Sequence, residues 1–384
     1  MSSIVIQGDT SGSITVEAPS VAGTHTLTLP KATGNIATDA TVGLGQKNLI
    51  INGDMRIAQR GTSVAGITSA GYYTVDRWQP FISTAGTWTM SQDTDVPTGQ
   101  GFSSSVKFAC TTANTSLSTN SQMRLTQHIE AYNVQHLSFG TANAKKVTFS
   151  FWIKSNKTGT YNVWAYRQDS SRQSSIQFTI SLANTWEKKT LTFDGDTTGT
   201  INNDNGRGIE FNIVFVAGTD YSTGTSPDGA WETLTNPNRY VGNVNLADST
   251  SNYINITGVQ LEIGDTATPF ENRMYGTELA LCERYFQKID GGFGVATAST
   301  NVQINVVMRV PMRTSPSATV TTLRITDMTT ADHQATSATI SLPNITPTMS
   351  RTNSGGFTGL TTSRTYTLLG SGTNAAPILF SAEL

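Results

Sequence analysis

Short runs in which apolar residues alternate with polar ones constrain the fold of this chain more than any other feature. The clearest are residues 147–153 (VTFSFWI), 161–166 (YNVWAY) and 209–215 (IEFNIVF). A period of two places alternate side chains on opposite faces of a strand. Further runs of this kind lie at residues 87–90, 105–108, 175–180, 188–193 and 253–261. The pattern predicts an antiparallel β-sandwich whose two sheets share one core.

The composition agrees with an all-β chain. Ser and Thr together make up about a quarter of the 384 residues, and only 14% of the residues are charged. Thr suits a strand because its branched Cβ packs well on a pleated surface. Helical bundles, coiled coils and charged disordered proteins need other residues in bulk. A chain of this length is expected to form two or three domains.

The charge pattern argues against two classes of partner. The net charge is −2, and no basic run is longer than the pairs at residues 145–146 and 188–189. A nucleic-acid-binding protein needs a basic stripe that neutralises phosphates, and a membrane helix needs about 20 apolar residues. We therefore expect no nucleic-acid partner and no membrane insertion. The N-terminus does not have the pattern of a secretory signal, so synthesis in a cytoplasm is expected.

Residues 1–46 differ from the rest of the chain. They contain three short alternating runs, at residues 4–6, 13–16 and 26–29, and few large side chains. So few residues cannot bury an adequate core alone. This segment is therefore predicted to pack on another subunit or another protein, as an attachment or oligomerisation segment.

One segment, Tyr275 to Lys288, has the periodicity of a helix. Its apolar residues share one face: Leu279, Cys282, Tyr285 and Phe286. Thr277 is the expected N-cap, and the glycines at residues 291 and 292 are expected to end the helix.

The chain is thus predicted to have four parts. They are an N-terminal β segment (residues 1–46), a jelly-roll-like sandwich (residues 47–271), a linking helix (residues 272–290) and a small C-terminal β domain (residues 291–384). The last part combines short strands with loops rich in Gly, Ser, Thr and Asn.

Several stretches of the sequence resemble bacteriophage proteins. Residues 48–61 (NLIINGDMRIAQRG), followed by residues 72–78 (YYTVDRW), resemble the opening of the central domain of many phage tail fibre and virion structural proteins. Residues 258–271 (GVQLEIGDTATPFE) and 279–286 (LALCERYF) resemble the end of that domain and the helix after it. Residues 13–36 resemble a short N-terminal segment common in fibres of phages of aquatic bacteria.

The resemblance implies a structural protein of the virion tail, a homotrimer attached to other tail or baseplate proteins through residues 1–46. A jelly-roll sandwich would form its middle, and the C-terminal domain would contact host surface polysaccharide. We therefore predict a tail fibre protein that mediates host-cell adsorption by binding surface glycan. The alternative is a virion structural protein without a receptor role, such as a head fibre, a capsid decoration protein or a baseplate linker.

The sequence shows no catalytic constellation, and we expect no enzymatic activity. The four histidines are scattered, and no glycine-rich phosphate loop follows a strand. Two carboxylates roughly 5–9.5 Å apart can hydrolyse glycosides, so a glycan-degrading tailspike is a third class to test. The neighbours Asp76 and Arg77, and likewise Glu283 and Arg284, are expected to form ion pairs inside the fold.

Aromatic side chains that could stack on sugar rings are the candidate glycan contacts. Trp152 and Trp164 lie in alternating runs, so we expect both in the core. Trp231 lies in a loop and is a better candidate, weighed against a role as a loop anchor. Phe357 and Tyr366 are candidates in the C-terminal part, where hydroxyl-rich loops make adaptable surfaces. The alternative there is simply solvated turns.

A structural Ca²⁺ ion is the one metal considered, because sugar-binding jelly-roll domains often hold one between their first and last strands. Its candidate ligands are Asn52, Asp54, Glu262 and Asp265. Calcium takes six to eight oxygen ligands at roughly 2.3–2.6 Å. The alternative is that these residues form turns. No other cofactor is expected.

Overall fold

The computed structural model describes residues 3–7, 13–17, 47–320, 322–327, 332–335, 340–369 and 377–384. The chain divides into two compact units, Met1–Gly45 and Gln46–Leu384. In the first unit, β1 (Ser3–Gln7) and β2 (Ser13–Glu17) form an antiparallel pair. Two of the three alternating runs predicted there are thus confirmed as strands. The third run, at residues 26–29, lies outside the described residues.

The second unit begins with a sandwich of two six-stranded antiparallel sheets, which confirms the predicted fold class. Its strands are β3 (Ser63–Ile67), β4 (Gln79–Ser83), β5 (Thr87–Asp93), β6 (Ser105–Thr112), β7 (Gln122–Glu130), β8 (Val147–Ser155), β9 (Gly159–Arg167), β10 (Arg172–Ile180), β11 (Glu187–Phe193), β12 (Arg207–Ala217), β13 (Glu232–Thr233) and β14 (Tyr253–Ile263). The front sheet has the order β13-β10-β9-β12-β7-β4, and the back sheet has the order β11-β8-β14-β6-β5-β3.

Short helical turns connect the strands of the sandwich. They are α1 (Thr219–Ser222) and four 3₁₀ helices at Ala131–Leu137, Gln168–Ser170, Asn236–Asn238 and Leu246–Asp248.

The alternation of residues along the strands decides which side chains enter the core between the two sheets. On β8, Phe149 and Phe151 point inward and are buried. Phe211 of β12 stacks on Phe149 with ring centroids 5.0 Å apart, and Phe178 of β10 meets Phe151 edge-on at 5.3 Å. Burying each such side chain contributes roughly 1.5–3 kcal/mol, so the sandwich holds a substantial core of its own.

Residues 48–55 (NLIINGDM) have the sequence pattern of a strand followed by a turn, but no strand forms at their start. Residues 47–50 have no regular secondary structure. The N–H of Leu49 donates to the carbonyl of Leu261 at 2.9 Å, and beside this bond the side chain of Asn48 takes the place of a ladder partner. Its amide donates to the carbonyl of Val259 at 3.1 Å and accepts from the backbone N–H of Leu261 at 3.0 Å. The turn expected after it is present at residues 51–54.

A close backbone approach joins the two sequence segments 48–61 and 258–271. The N–H of Val259 donates to the carbonyl of Gly53 at 2.9 Å. A Cβ atom at Gly53 would lie 2.1 Å from the carbonyl oxygen of Val259, so only glycine fits there. The opening and the end of the sandwich are therefore one structural unit.

The linking helix is shorter than predicted. Helix α2 spans Tyr275–Glu283, with its N-cap at Met274 rather than at Thr277, and residues Phe286–Ile289 form a strand, β15. The backbone of β15 pairs with a strand near the end of the chain, Ile378–Ser381, and this ladder replaces the last helical turn. Among the described residues, no helix is long and apolar enough to cross a membrane.

Nine further strands lie in the described residues of the C-terminal part. They are β16 (Phe293–Ala298), β17 (Asn301–Val307), β18 (Ser317–Thr319), β19 (Leu323–Thr326), β20 (Asp332–Ala335), β21 (Ile340–Ile345), β22 (Met349–Ser354), β23 (Thr365–Leu368) and β24 (Ile378–Ser381). They form a three-stranded sheet, β15-β24-β18, and a seven-stranded sheet, β20-β19-β23-β16-β17-β22-β21. These strands enclose a second hydrophobic core, distinct from that of the sandwich.

A buried arginine, Arg77, connects the sandwich to the C-terminal strands. Its guanidinium forms an ion pair with Glu383 and donates to the carbonyl of His128 at 2.7 Å. The same group lies 3.5 Å from the centroid of the Tyr285 ring. Arg60 also pairs with Glu383, at 3.0 Å. The two β parts therefore share a network of buried charges.

The expectation of ion pairs inside the fold is confirmed, although neighbouring residues do not pair with each other. Arg284 donates to the carboxylate of Glu130 at 2.9 Å, and the hydroxyl of Tyr285 donates to the same carboxylate at 3.0 Å. Glu283 pairs with Arg309 at 3.0 Å. The contacts of Glu130 again join the front sheet to the segment after α2.

We predict that Glu383→Gln destabilises the protein strongly. Removing the charge of Glu383 leaves the guanidinium of Arg77 buried without its carboxylate, which costs roughly 3–5 kcal/mol. Urea unfolding measures the change in the free energy of unfolding. The matched control is Asp290→Asn, because this carboxylate is 62% exposed and lies 3.7 Å from Arg309; its expected effect is below about 1 kcal/mol. Equal effects of the two changes would contradict the prediction.

A second prediction concerns pH. Burial raises the pKa of Asp76 to about 6, against the opposing effect of Arg60 and Gln59. The folded state therefore holds a proton that the unfolded state releases near pH 4. The stability that Asp76 contributes is present below about pH 4 and is lost as the pH rises through about 6.

The variant Asp76→Asn removes this titration. Relative to the variant, the free energy of unfolding of the native protein is expected to fall by on the order of 1–3 kcal/mol between pH 4 and pH 6.5. Urea unfolding of both proteins across this range is the measurement. A difference that does not change with pH would refute the assignment.

Candidate functional site

Two of the three aromatic residues predicted to contact glycan lie in a core. Phe357 and Tyr366 are 1% and 2% exposed and belong to the second hydrophobic core. The hydroxyl of Tyr366 accepts a hydrogen bond from the N–H of Thr361 at 3.0 Å. The prediction for both residues is wrong, because neither ring presents a face to a ligand.

Trp231 is only partly buried, and its contacts are those of a loop anchor. Its indole N–H donates to the carbonyl of Asp194 at 2.7 Å. Its ring meets Phe139 edge-on, with centroids 5.6 Å apart, and packs against the core of the sandwich. These contacts match the alternative role of Trp231, that of a loop anchor. Glycan contact at Trp231 stays a prediction.

The candidate calcium ligands near the start of the sandwich already have partners. The amide of Asn52 accepts from the N–H of Ile57 at 3.0 Å and donates to the carbonyls of Ile57 and Asp76 at 2.9 Å. Asp54 pairs with Arg56 at 3.0 Å. Asn52 is therefore a fixed turn residue, as the alternative proposed.

The other two candidate ligands are not assembled with them. The carboxylate of Glu262 accepts from the N–H of Thr268 at 2.9 Å and from the amide of Gln260 at 2.7 Å. Asp265 is exposed. Within the described part of the chain, no group of three or more His, Cys, Asp or Glu side chains is placed to hold a metal. The predicted calcium ligand set is thus not brought together.

The outer face of the front sheet carries a different set of aromatic and polar residues. The register of β9 and β12 places Trp164 opposite Asn212 and Tyr166 opposite Glu210. The register of β12 and β7 places Glu210 opposite His128. Alternation turns all five side chains away from the core between the sheets. We call this surface the outer-face site.

Stacked rings form one side of the outer-face site. The rings of Trp164 and Tyr166 are stacked, with centroids 5.3 Å apart and planes 17° from parallel. Tyr240, from the segment that follows β13, meets Trp164 edge-on at 5.7 Å. Trp164 is 3% exposed, whereas Tyr166 is only partly buried. Tyr166 therefore presents an aromatic surface beside a rigid support.

The expectation that Trp152 and Trp164 are buried in a core is confirmed for Trp164 and wrong for Trp152. Trp164 is buried, but on the outer face, in a cluster with Val214 and Tyr240 that is separate from the core of the sandwich. Trp152 alternates with core residues on β8 and is only partly buried. Alternation along the strand turns both rings outward.

A buried polar pair forms the floor of the outer-face site. Nδ1 of His128 lies 3.0 Å from the carboxylate of Glu210, and Nε2 lies 3.3 Å from the amide oxygen of Gln79. Burial lowers the pKa of His128. Burial acts to raise the pKa of Glu210, but the hydrogen bond and charge of His128, together with the charge of Arg124 and the hydrogen bond of Asn212, outweigh it and leave this pKa below its ordinary value. The floor thus holds a fixed carboxylate.

Further hydrogen bonds fix the centre of the floor. The amide of Asn212 donates to the carbonyl of Trp164 at 3.1 Å and accepts from the Nε of Arg124 at 3.0 Å. The hydroxyl of Thr126 donates to the same amide oxygen. The guanidinium of Arg124 lies 3.9 Å from the centroid of the Phe81 ring. The polar side chains are therefore held in one arrangement.

The outer-face site combines exposed ring surface with fixed hydrogen-bonding groups, an arrangement typical of small-molecule and sugar sites. Sequence reasoning missed it as a unit. The available signal was the pair Trp164 and Tyr166, two aromatic residues at the spacing that puts them on one face of a strand. No sequence pattern indicated that His128 and Glu210 would join them.

The sequence matches no protein-family model and no curated protein. Matches among solved structures include the enzymatically active domain of tailspike protein 4 of bacteriophage CBA120, with 13% identity and a TM-score of 0.29. That alignment covers 57% of this chain and 22% of the tailspike chain.

Two further matches are carbohydrate-binding modules. One is TmCBM61 in complex with β-1,4-galactotriose, with 10% identity, a TM-score of 0.30 and coverage of 57% of this chain and 100% of that one. The other is the family 11 module of a cellulosomal cellulase of Clostridium thermocellum, with 10% identity, a TM-score of 0.28 and coverage of 52% and 96%. All are partial matches at low identity, so the function of the outer-face site follows from its own geometry.

Proposed function

We propose that this protein is a non-enzymatic glycan-binding protein whose binding surface is the outer-face site. The observation that carries the proposal is the partly exposed ring of Tyr166 beside the fixed side chains of His128, Glu210 and Asn212. A pyranose has an apolar face of C–H groups and a rim of hydroxyls. An aromatic ring suits the apolar face, and fixed donors and acceptors suit the hydroxyls.

The rigidity of the floor supports binding. Glu210 and Asn212 are tied to protein partners, so they lose little conformational freedom when a ligand arrives. Arg124 is held both by Asn212 and by the ring of Phe81. A sugar therefore meets groups that are already in place.

The proposed site lies on the sandwich rather than in the C-terminal loops. Phe357 and Tyr366, the aromatic candidates there, are buried, whereas the front sheet keeps aromatic surface accessible at Tyr166. Neither of those two buried rings is available for glycan contact by the C-terminal part.

We further propose that the protein is a phage tail fibre protein that uses this site for adsorption to its host. The support is the resemblance of residues 48–61, 72–78, 258–271 and 279–286 to tail fibre proteins, together with their assembly in the structure. Segments 48–61 and 258–271 meet at Gly53. Segments 72–78 and 279–286 meet where Arg77 lies over the ring of Tyr285. In this proposal residues 1–46 attach the chain to the tail.

The binding proposal predicts that Tyr166→Ala weakens glycan binding by about tenfold, the equivalent of about 1.4 kcal/mol, because the stacking surface is lost. The measurement is binding to an array of immobilised bacterial surface polysaccharides. The matched control is Tyr132→Ala, since Tyr132 is 53% exposed and lies in a 3₁₀ helix outside the front sheet. This control should bind as the unchanged protein does.

Two results of this experiment would refute the proposal. The first is an unchanged protein that binds no polysaccharide on the array. The second is binding that falls equally in the Tyr166 and Tyr132 variants. Shortened products after incubation with a bound polysaccharide would refute the non-enzymatic part and favour a glycan-degrading tailspike.

The tail fibre proposal predicts a homotrimer, in which three weak sites bind one surface together. The mass of the full chain in solution, measured by light scattering at micromolar concentration, should be three times that of the 41.1 kDa chain. A chain lacking residues 1–46 is the informative comparison, because that segment is the predicted oligomerisation or attachment element. A monomeric full-length protein would refute the homotrimer.

A further inference from the structure

Two arginines flank the stacked rings of the outer-face site. The guanidinium of Arg239 lies 4.8 Å from the centroid of Trp164 and 5.4 Å from that of Tyr221. The guanidinium of Arg124 lies 5.5 Å from the centroid of Trp164, on a neighbouring strand. Cations on aromatic faces are attracted by the ring electrons, so both groups are held near the surface that a sugar would approach.

Neither arginine has a carboxylate partner within ion-pairing distance in the described part of the chain. This distinguishes them from Arg77, Arg167 and Arg284, which pair with Glu383, Asp196 and Glu130. The Nε of Arg239 is also buried without a hydrogen-bond partner. The charge of Arg239 is thus not neutralised by an ion pair within the described residues.

The carboxylates of the same face are already engaged. Glu210 is held by His128 at 3.0 Å. Glu232, at the edge of the front sheet, accepts from the amides of Gln173 at 2.8 Å and Asn238 at 3.0 Å. Each of these carboxylates is thus held by its own side-chain partners, while Arg239 pairs with no carboxylate among the residues that the structure describes.

We propose that the outer-face site selects acidic glycans, whose repeating units carry a carboxylate or another anionic group, and that Arg239 is the residue that recognises the anion. The inference rests on the proposed glycan-binding function. A planar guanidinium presents paired N–H groups that match the two oxygens of an anion. Arg124 adds a second positive charge beside the one ring that both arginines contact, Trp164. The ring of Tyr166 would meanwhile hold the sugar.

The test uses the full chain and the array of bacterial polysaccharides, sorted by whether the repeating unit is acidic or neutral. The unchanged protein is expected to bind acidic polysaccharides at least tenfold more tightly than neutral ones at 0.1 M salt. Raising the salt to 0.5 M should weaken acidic binding several-fold, because exposed charges are screened.

The variant Arg239→Gln should lower binding to acidic polysaccharides about tenfold and leave binding to neutral ones unchanged. Arg239→Lys keeps the charge but not the planar fork, so an intermediate loss is expected; it also covers the case in which the glutamine variant fails to fold. The control for a lost surface charge is Lys188→Gln, because Lys188 is exposed on β11 of the back sheet. It should change neither class of binding.

The outcomes separate this inference from the function on which it rests. If glycans bind and Tyr166→Ala weakens binding, but acidic and neutral polysaccharides bind equally, the inference is overturned and the proposed function stands. Acidic binding that is unchanged in both Arg239 variants overturns it as well. If no polysaccharide binds, the proposed function fails first. Anionic groups of different kinds, carboxylate, phosphate or sulfate, are distinguished by which acidic members of the array bind.

Discussion

The burial of the Arg77 guanidinium is the interaction on which the arrangement of the second unit depends. A charge without water is tolerated only when it is paired and hydrogen-bonded. Its carboxylate comes from Glu383, 306 residues away along the chain, and its aromatic cover comes from Tyr285. Neither partner belongs to the sandwich. The charge of Arg77 in the sandwich is therefore satisfied only when the segment after α2 and the last strand are folded against it. This holds although the sandwich and the C-terminal part each have a hydrophobic core of their own.

The alternating pattern predicted the strands that build the core, and it failed where the local pattern carries no such signal. Strands β8 and β9 lie where alternation placed them. Strand β7 was missed because Gln127 stands on its core-facing side and interrupts the apolar alternation of Met123, Leu125 and Ile129. Strand β4 was missed because it is short and contains Pro80, which is tolerated since β4 is an edge strand. The end of α2 was misplaced because pairing with β24, a distant strand, decides it.

The surface proposed to bind glycan was predictable only in part, for a related physical reason. Alternation indicates that Trp164 and Tyr166 share a face, but it does not reveal which layer covers that face. Trp164 is buried by Tyr240, from a loop that crosses the front sheet. Conversely, Phe357 and Tyr366 lie among Gly- and Thr-rich residues typical of a surface, yet they fill the second core. The pairing of His128 with Glu210 depends on strand register across 82 residues of chain, which local sequence does not encode.

Because few residues are charged, the partner of each charged side chain is informative. Only 14% of residues are charged, and several of the arginines are used inside the fold, where a carboxylate matches each one. A guanidinium that lies on an aromatic face without a carboxylate partner differs from these paired arginines. Arg239 is in this position, beside a ring that is partly exposed and a floor whose carboxylate is already held. Under the proposed function, the guanidinium of Arg239 adds a charge-dependent contact to a surface that would otherwise distinguish sugars only by their shape and their hydroxyl groups.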